Sequence, residues 1–122
     1  MKRRDKIRRS SPFLFIFEKR KGETNMLENK FKTNLVNEIK RLFPGCIVIH
    51  MDPNEVQGIS DLLILYGNKW AALEGKKNAN ASHRPNQDYY VELLDNWSFA
   101  RFIFPENKDE VLDDLVRYFR RR

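Results

Sequence analysis

What this chain of 122 residues has little of narrows its chemistry at once: it carries one cysteine, two histidines, five glycines and no long apolar run. Cys46 alone forms no internal disulfide and has no second thiol with which to build a zinc site, so the chain suits a reducing cytoplasm. It reads as a small buried hydrophobe at the start of a strand. No stretch is long and apolar enough to span a membrane, in keeping with a mean hydropathy of -0.67. Internal repeats, a glycine-rich phosphate loop and a Ser/His/Asp arrangement are all missing. With 41% hydrophobic residues over this length, the expectation is one domain with a modest core.

The net charge of +6 invites a nucleic-acid reading, but its location weakens that inference. Residues 1–22 hold nine Lys and Arg against Asp5 and Glu18, a surplus of seven, which leaves the other 100 residues at a net −1. A nearly neutral domain still binds DNA where its cations cluster and a metal offsets its acids. Global basicity is therefore no argument here.

The leader is unusual in its own right. A basic Lys2 to Arg9 precedes the short apolar burst Phe13-Leu14-Phe15-Ile16-Phe17, which follows Pro12 and lacks a small-residue cleavage site, so it is not a signal peptide. Three readings fit: a basic DNA-binding arm, an extra edge strand, or a segment outside the native product. The last is favoured, because Lys21-Gly22-Glu23 can be encoded by a purine-rich ribosome-binding sequence just ahead of Met26. The expected division is a basic leader over 1–25 and a domain over 26–122.

From Met26 the pattern is regular. Leu27, Phe31, Leu35, Ile39, Leu42 and Phe43 keep helical spacing up to the stop signal Pro44-Gly45. Glu28 falls near the middle of that apolar stripe and Glu38 at its edge. Two readings fit Glu28: a first-turn acid favoured by the helix dipole, or a carboxylate aimed at a site. Cys46 to Met51 reads as a strand, and Asp52 to Ser60 as a polar loop feeding Asp61. Leu62 to Tyr66 and Lys69 to Leu73 flank the turn signal Gly67-Asn68. The resulting hairpin carries Asp61 at one end and Glu74-Gly75-Lys76 at the other. Strand alternation sends Glu74 and Lys76 to one face and Leu73 and Gly75 to the opposite one.

Two carboxylates and an ammonium that converge have a chemical use. Asp and Glu oxygens suit Mg²⁺ or Mn²⁺, which polarises a phosphodiester and activates a water, while a lysine orients that water or offsets charge on the phosphate. The same residues also make an ordinary solvated salt bridge. After Lys76 comes a small polar loop in which Lys77, His83 and Arg84 are candidate DNA contacts. Pro85 suits the first turn of a helix to about Trp97, with Gln87, Tyr90, Val91 and Leu94 on one face. Gln87 on that face either bonds backbone or holds a water or phosphate oxygen. Ser98 to Phe104 is the next strand, and Val111, Leu112, Leu115, Val116, Tyr118 and Phe119 mark a last amphipathic helix. The order is helix, three strands, helix, strand, helix.

Asp61, Glu74-Gly75-Lys76 and this order resemble the PD-(D/E)xK nuclease superfamily, and in particular its small phage-type VRR-NUC (virus-type replication-repair nuclease) proteins. The likeness is carried by Gln57 to Leu65, Trp70 to Lys77, Arg84 to Tyr90 and Phe104 to Lys108, and with the first helix it covers most of Leu27 to Phe119. It implies an α/β, restriction-endonuclease-like core with a mixed sheet of about four strands flanked by helices. It also implies a Mg²⁺- or Mn²⁺-dependent endonuclease acting on DNA, with branched DNA such as four-way junctions as one expected substrate. The roles it implies are Asp61 and Glu74 as metal ligands with the Gly75 carbonyl, Lys76 as catalytic lysine, Glu28 as the helix acid, reaching the metal directly or through water, and Gln87 as the downstream site glutamine. Ser60 stands where the family usually has proline, which alters loop stiffness and removes no ligand. Cutting two strands calls for two sites, which a homodimer supplies. The rival expectation is a catalytically silent nucleic-acid-binding accessory protein of the same fold.

Overall fold

The apolar runs of this chain are short and alternate with turn residues, so each buries one face against a single sheet. The computed structural model describes residues 12–121, with side chains from Met26 to Arg121. The elements are α1 (Pro12–Leu42), β1 (Ile47–His50), β2 (Leu62–Tyr66), β3 (Lys69–Gly75), α2 (Gln87–Trp97), β4 (Ala100–Ile103) and α3 (Lys108–Arg120). The strands lie in the order β1-β2-β3-β4, the first three antiparallel and β4 parallel to β3. The protein is thus α/β, with one mixed four-stranded sheet flanked by three helices. No helix among the described residues is long and apolar enough to cross a membrane.

Each boundary has a local cause. Gly45 adopts a left-handed φ of 88° after Pro44, and the Cys46 amide bonds the Phe43 carbonyl at 3.0 Å, which turns the chain out of α1. Tyr66 pairs with Lys69 across a two-residue turn that is left-handed at Gly67 alone, the II′ arrangement that matches strand twist. The helix α2 begins at Gln87, later than the expected Pro85, because Asn86 holds a left-handed φ of 72°. The strand β4 is also shorter than expected. The Ser98 amide is spent on the Leu94 carbonyl at 2.9 Å and its hydroxyl on the Trp70 carbonyl, while the Phe104 amide is taken by the Asn107 side chain at 2.9 Å.

One face of the sheet carries the core. Leu35, Val36 and Ile39 of α1, Phe43 just beyond it, and Val111, Leu112, Leu115 and Phe119 of α3 close over Leu62, Ile64, Ala71, Leu73 and Ile103. Phe43, Tyr66 and Phe119 pack ring against ring at the far end, with centroids 4.9–5.5 Å apart. Lys108 bonds Glu38 at 2.7 Å and ties α3 to α1. The helix α2 covers the opposite face over β3 and β4 and leaves Ile47 and Ile49 exposed beside it.

Two features depart from the expected pattern. The backbone of α1 is helical from Pro12, so it passes Met26 without a break and residues 12–25 form no edge strand; residues 1–11 lie outside the described residues. Leu27, expected in the apolar stripe, is 68% exposed. Lys32, one turn further along, already lies over Gly75 at the end of β3, so the helix has passed the rim of the sheet before it reaches Leu27.

The loop before Asp61 is locked to the start of α2 at Gly58. Its φ is +89°, and a β-carbon there would lie 2.6 Å from Asn86 Cβ and 2.8 Å from the Pro85 carbonyl oxygen. Only glycine combines that conformation with that approach. Gly58→Ala is therefore expected to destabilise the domain by roughly 2–4 kcal/mol, measured by urea unfolding; a loss below about 0.5 kcal/mol contradicts the close approach.

Candidate active site

Side chains at the last residues of β3 leave the core and enter a cleft. Asp61 precedes β2, which runs antiparallel to β3, so the start of one strand and the end of the other meet at the same rim. The Gly75 amide donates to Asp61 Oδ2 at 3.0 Å, which fixes the first acid against the strand that bears the second. The Lys76 amide continues into β4 by bonding the Ile103 carbonyl at 2.8 Å. The cleft of about 540 Å³ that opens there is lined by Glu28, Asp61, Glu74, Lys76, Arg84 and Gln87, among others.

Alternation along β3 acts as expected. Leu73 is fully buried in the core, Gly75 faces α1, and Glu74 and Lys76 turn to the α2 side, where they are 4% and 8% exposed. Two ionisable groups at such depth need partners, and one amide serves both. Gln87 Nε2 donates to Glu74 Oε2 at 3.1 Å, while Gln87 Oε1 accepts from Lys76 Nζ at 2.6 Å and from the Arg84 amide at 2.8 Å. Lys76 Nζ also donates to the Ser82 carbonyl at 3.0 Å. Two of its three protons are thereby committed and the third is left for the cleft.

The electrostatics follow from this burial. Glu74 is pushed up to about 8 by burial first and by the neighbouring Asp61 charge second, with Lys76 opposing both. Burial draws Lys76 below the usual lysine value, against the pull of Glu74 and Glu28. Glu74 Oε1 is buried and finds no hydrogen-bond donor among the described residues. Below about pH 8 Glu74 keeps its proton, which a hydrogen bond to Asp61 favours; once ionised, an oxygen so placed is costly unless something positive meets it.

That orphaned oxygen beside Asp61 fits a hard divalent ion. Mg²⁺ is commonly held by one or two carboxylates and keeps several waters. Among the described residues no three acidic, histidine or cysteine side chains converge as a group that could hold a metal ion, so Asp61 and Glu74 are the two carboxylates available to one. Glu28 lines the cleft, yet its contact is with Lys32, whose Nζ lies 3.0 Å from Glu28 Oε2 and 2.8 Å from Asp61 Oδ2. Burial lowers Lys32, but the charges of Asp61 and Glu28 outweigh it and hold the ammonium above the usual lysine value.

The structure thus brings Asp61, Glu74, Lys76 and Gln87 together, with Gly75 between them and Glu28 at the edge. Lys77 and Arg84 are exposed and line the cleft. His83 does not line it: its Nδ1 lies 2.6 Å from Asp88 Oδ1 and its ring stacks on Phe102 at 4.1 Å. Lys32 escaped sequence reasoning, because an i,i+4 Glu-Lys pair on a helix is indistinguishable from routine surface pairing. Compared with known proteins, the chain matches no family model, no curated protein and no solved structure.

The buried acid has a measurable cost. Since Glu74 binds its proton more tightly in the folded chain, at about 8 against an ordinary 4.5, its contribution to stability is full below pH 4.5 and is lost as pH rises to about 8. Melting of the metal-free chain between pH 5 and 9 is expected to show this fall, and Glu74→Gln to flatten it. Equal slopes in the two proteins overturn the assignment.

Proposed function

We propose that this domain is a divalent-metal-dependent DNA endonuclease that hydrolyses phosphodiester bonds in the cytoplasm. The observation that carries the reading is Glu74 Oε1, a buried and unpartnered carboxylate oxygen beside Asp61 in a cleft that also holds a buried lysine. Asp61 and Glu74 would hold Mg²⁺ or Mn²⁺, with the Gly75 carbonyl as a backbone ligand. When bound, the ion supplies Lewis-acid polarisation of the phosphodiester and makes water a competent nucleophile near neutral pH.

The protein's own groups do the rest. Lys76, held by Gln87 and Ser82, aims its remaining proton into the cleft, where it orients the attacking water and offsets charge developing on the phosphate. Gln87 fixes the rotamers of Lys76 and Glu74 together, so that neither must reorganise during the reaction. Lys77 and Arg84 at the mouth contact phosphates, which position DNA without reading its sequence. A domain of this size has little further surface for base readout, and this favours selection by DNA shape, with branched DNA as the candidate substrate. A homodimer would present two such sites to two strands.

One observation favours the rival reading, a nucleic-acid-binding accessory protein without catalysis: Asp61 is already neutralised by Lys32. Incubation of the purified chain with branched, flapped and linear DNA in Mg²⁺, Mn²⁺ or EDTA separates the two. The expected result is cleavage with either metal and none in EDTA, reduced by on the order of 10²-fold or more in Asp61→Asn, Glu74→Gln and Lys76→Ala. Cleavage in EDTA, or full activity in those variants, overturns the mechanism; binding without cleavage establishes the accessory protein.

A further inference from the structure

We propose that Lys32 is a built-in counter-cation that occupies the divalent-ion position on Asp61, so that metal must displace its ammonium, which retreats to Glu28. The inference rests on the metal-dependent reading above and adds what regulates ion entry. Lys32 Nζ sits between Asp61 Oδ2 at 2.8 Å and Glu28 Oε2 at 3.0 Å. All three side chains are largely withdrawn from water, at 15% exposure for Lys32, 16% for Asp61 and 20% for Glu28. A surface salt bridge exchanges freely with solvent, but this ammonium is held between Glu28 and Asp61, and Asp61 is a carboxylate that an incoming ion would use.

The position is built rather than incidental. The Lys32 stem lies across Gly75, where a β-carbon would come within 2.9 Å of Lys32 Cε and 3.1 Å of its Cγ. Glycine at the residue between the two catalytic candidates therefore makes the slot through which the lysine reaches Asp61. Lys32 holds Oδ2 of Asp61, and an ion seated on Asp61 and Glu74 would face its ammonium across the same carboxylate at close range, where two cations in a half-buried site repel each other strongly. Glu28 provides the exit. The ammonium is already bonded to it and can give up Asp61 while remaining paired. Glu28 then serves as the anchor of the displaced lysine, a positioning residue acting through Lys32.

Isothermal titration calorimetry of the full chain with MnCl₂, without DNA, tests this on wild type, Lys32→Met, Lys32→Gln, Lys32→Arg and Asp61→Asn. Methionine keeps the stem over Gly75 and removes the charge, glutamine replaces the ammonium by a neutral donor, and arginine keeps the charge. Binding at least tenfold tighter in Lys32→Met or Lys32→Gln, with Lys32→Arg close to wild type, is the expected result. Circular dichroism melts identify which neutral variant is folded, and either one suffices. Neutral variants that bind Mn²⁺ no more tightly than wild type overturn the inference while the metal site stands. If wild type and Asp61→Asn bind Mn²⁺ equally, or no variant binds it, the metal reading falls as well.

Discussion

The side-chain amide of Gln87 is the interaction on which the rest of the site depends. Its two ends have opposite polarity, and the end of β3 presents a carboxylate and an ammonium two residues apart on one face. A carboxylate at position 87 would meet Lys76 and repel Glu74, and a cation would do the reverse. An amide satisfies both, and its oxygen takes the Arg84 amide as well. Helix α2 is therefore joined to β3 by charge-assisted bonds in addition to apolar packing. The close approach at Gly58 presses the loop before Asp61 on to the same helix start. Through these two contacts, residues from three separate segments share one rigid frame.

The molecule divides its labour along the sheet. At one end Phe43, Tyr66 and Phe119 close the core with rings, away from the buried polar residues among those described. At the other end the chain buries Glu74, Lys76 and Gln87, which are bonded to one another, and Ser60 next to Asp61. Ser60 Oγ and Glu74 Oε1 remain without partners among the described residues, and each unmet polar atom lowers stability. Apolar packing in the first region offsets electrostatic cost in the second.

Much of this was readable from residues, and the omissions have physical reasons. The hairpin was legible because Gly67-Asn68 is a strong turn signal between two apolar runs, and the alternation that turns Glu74 and Lys76 away from Leu73 is a property of any strand. Gln87 stood out because a polar residue on the buried face of α2 needs a partner. Glu28 was harder, since a helical wheel places a residue around the axis but not along it. Glu28 does lie on the inward side, yet past the end of the sheet, so it looks into the cleft and its neighbour Leu27 looks into solvent. Lys32 and Gly58 depend on contacts between segments distant in sequence, which neither periodicity nor propensity encodes. His83 is a candidate contact from its place in the polar loop after Lys76, whereas its bond to Asp88 and stacking on Phe102 arise from the path that loop takes.

The parallel pairing of β4 with β3 also determines when the site can exist. Antiparallel β2 and β3 are joined by a two-residue turn and can meet early, bringing Asp61 and Glu74 together through local contacts. Parallel strands cannot be joined that way and need a long crossover, here the segment that contains α2. Gln87 is thus delivered by the slower, longer-range step, and the Lys76 amide is anchored only when Ile103 arrives. In chain order Lys32 precedes the two acids, while Gln87 and Ile103, which hold the end of β3, follow them. Such a chain completes the frame around its buried carboxyl and ammonium as the closing event of folding.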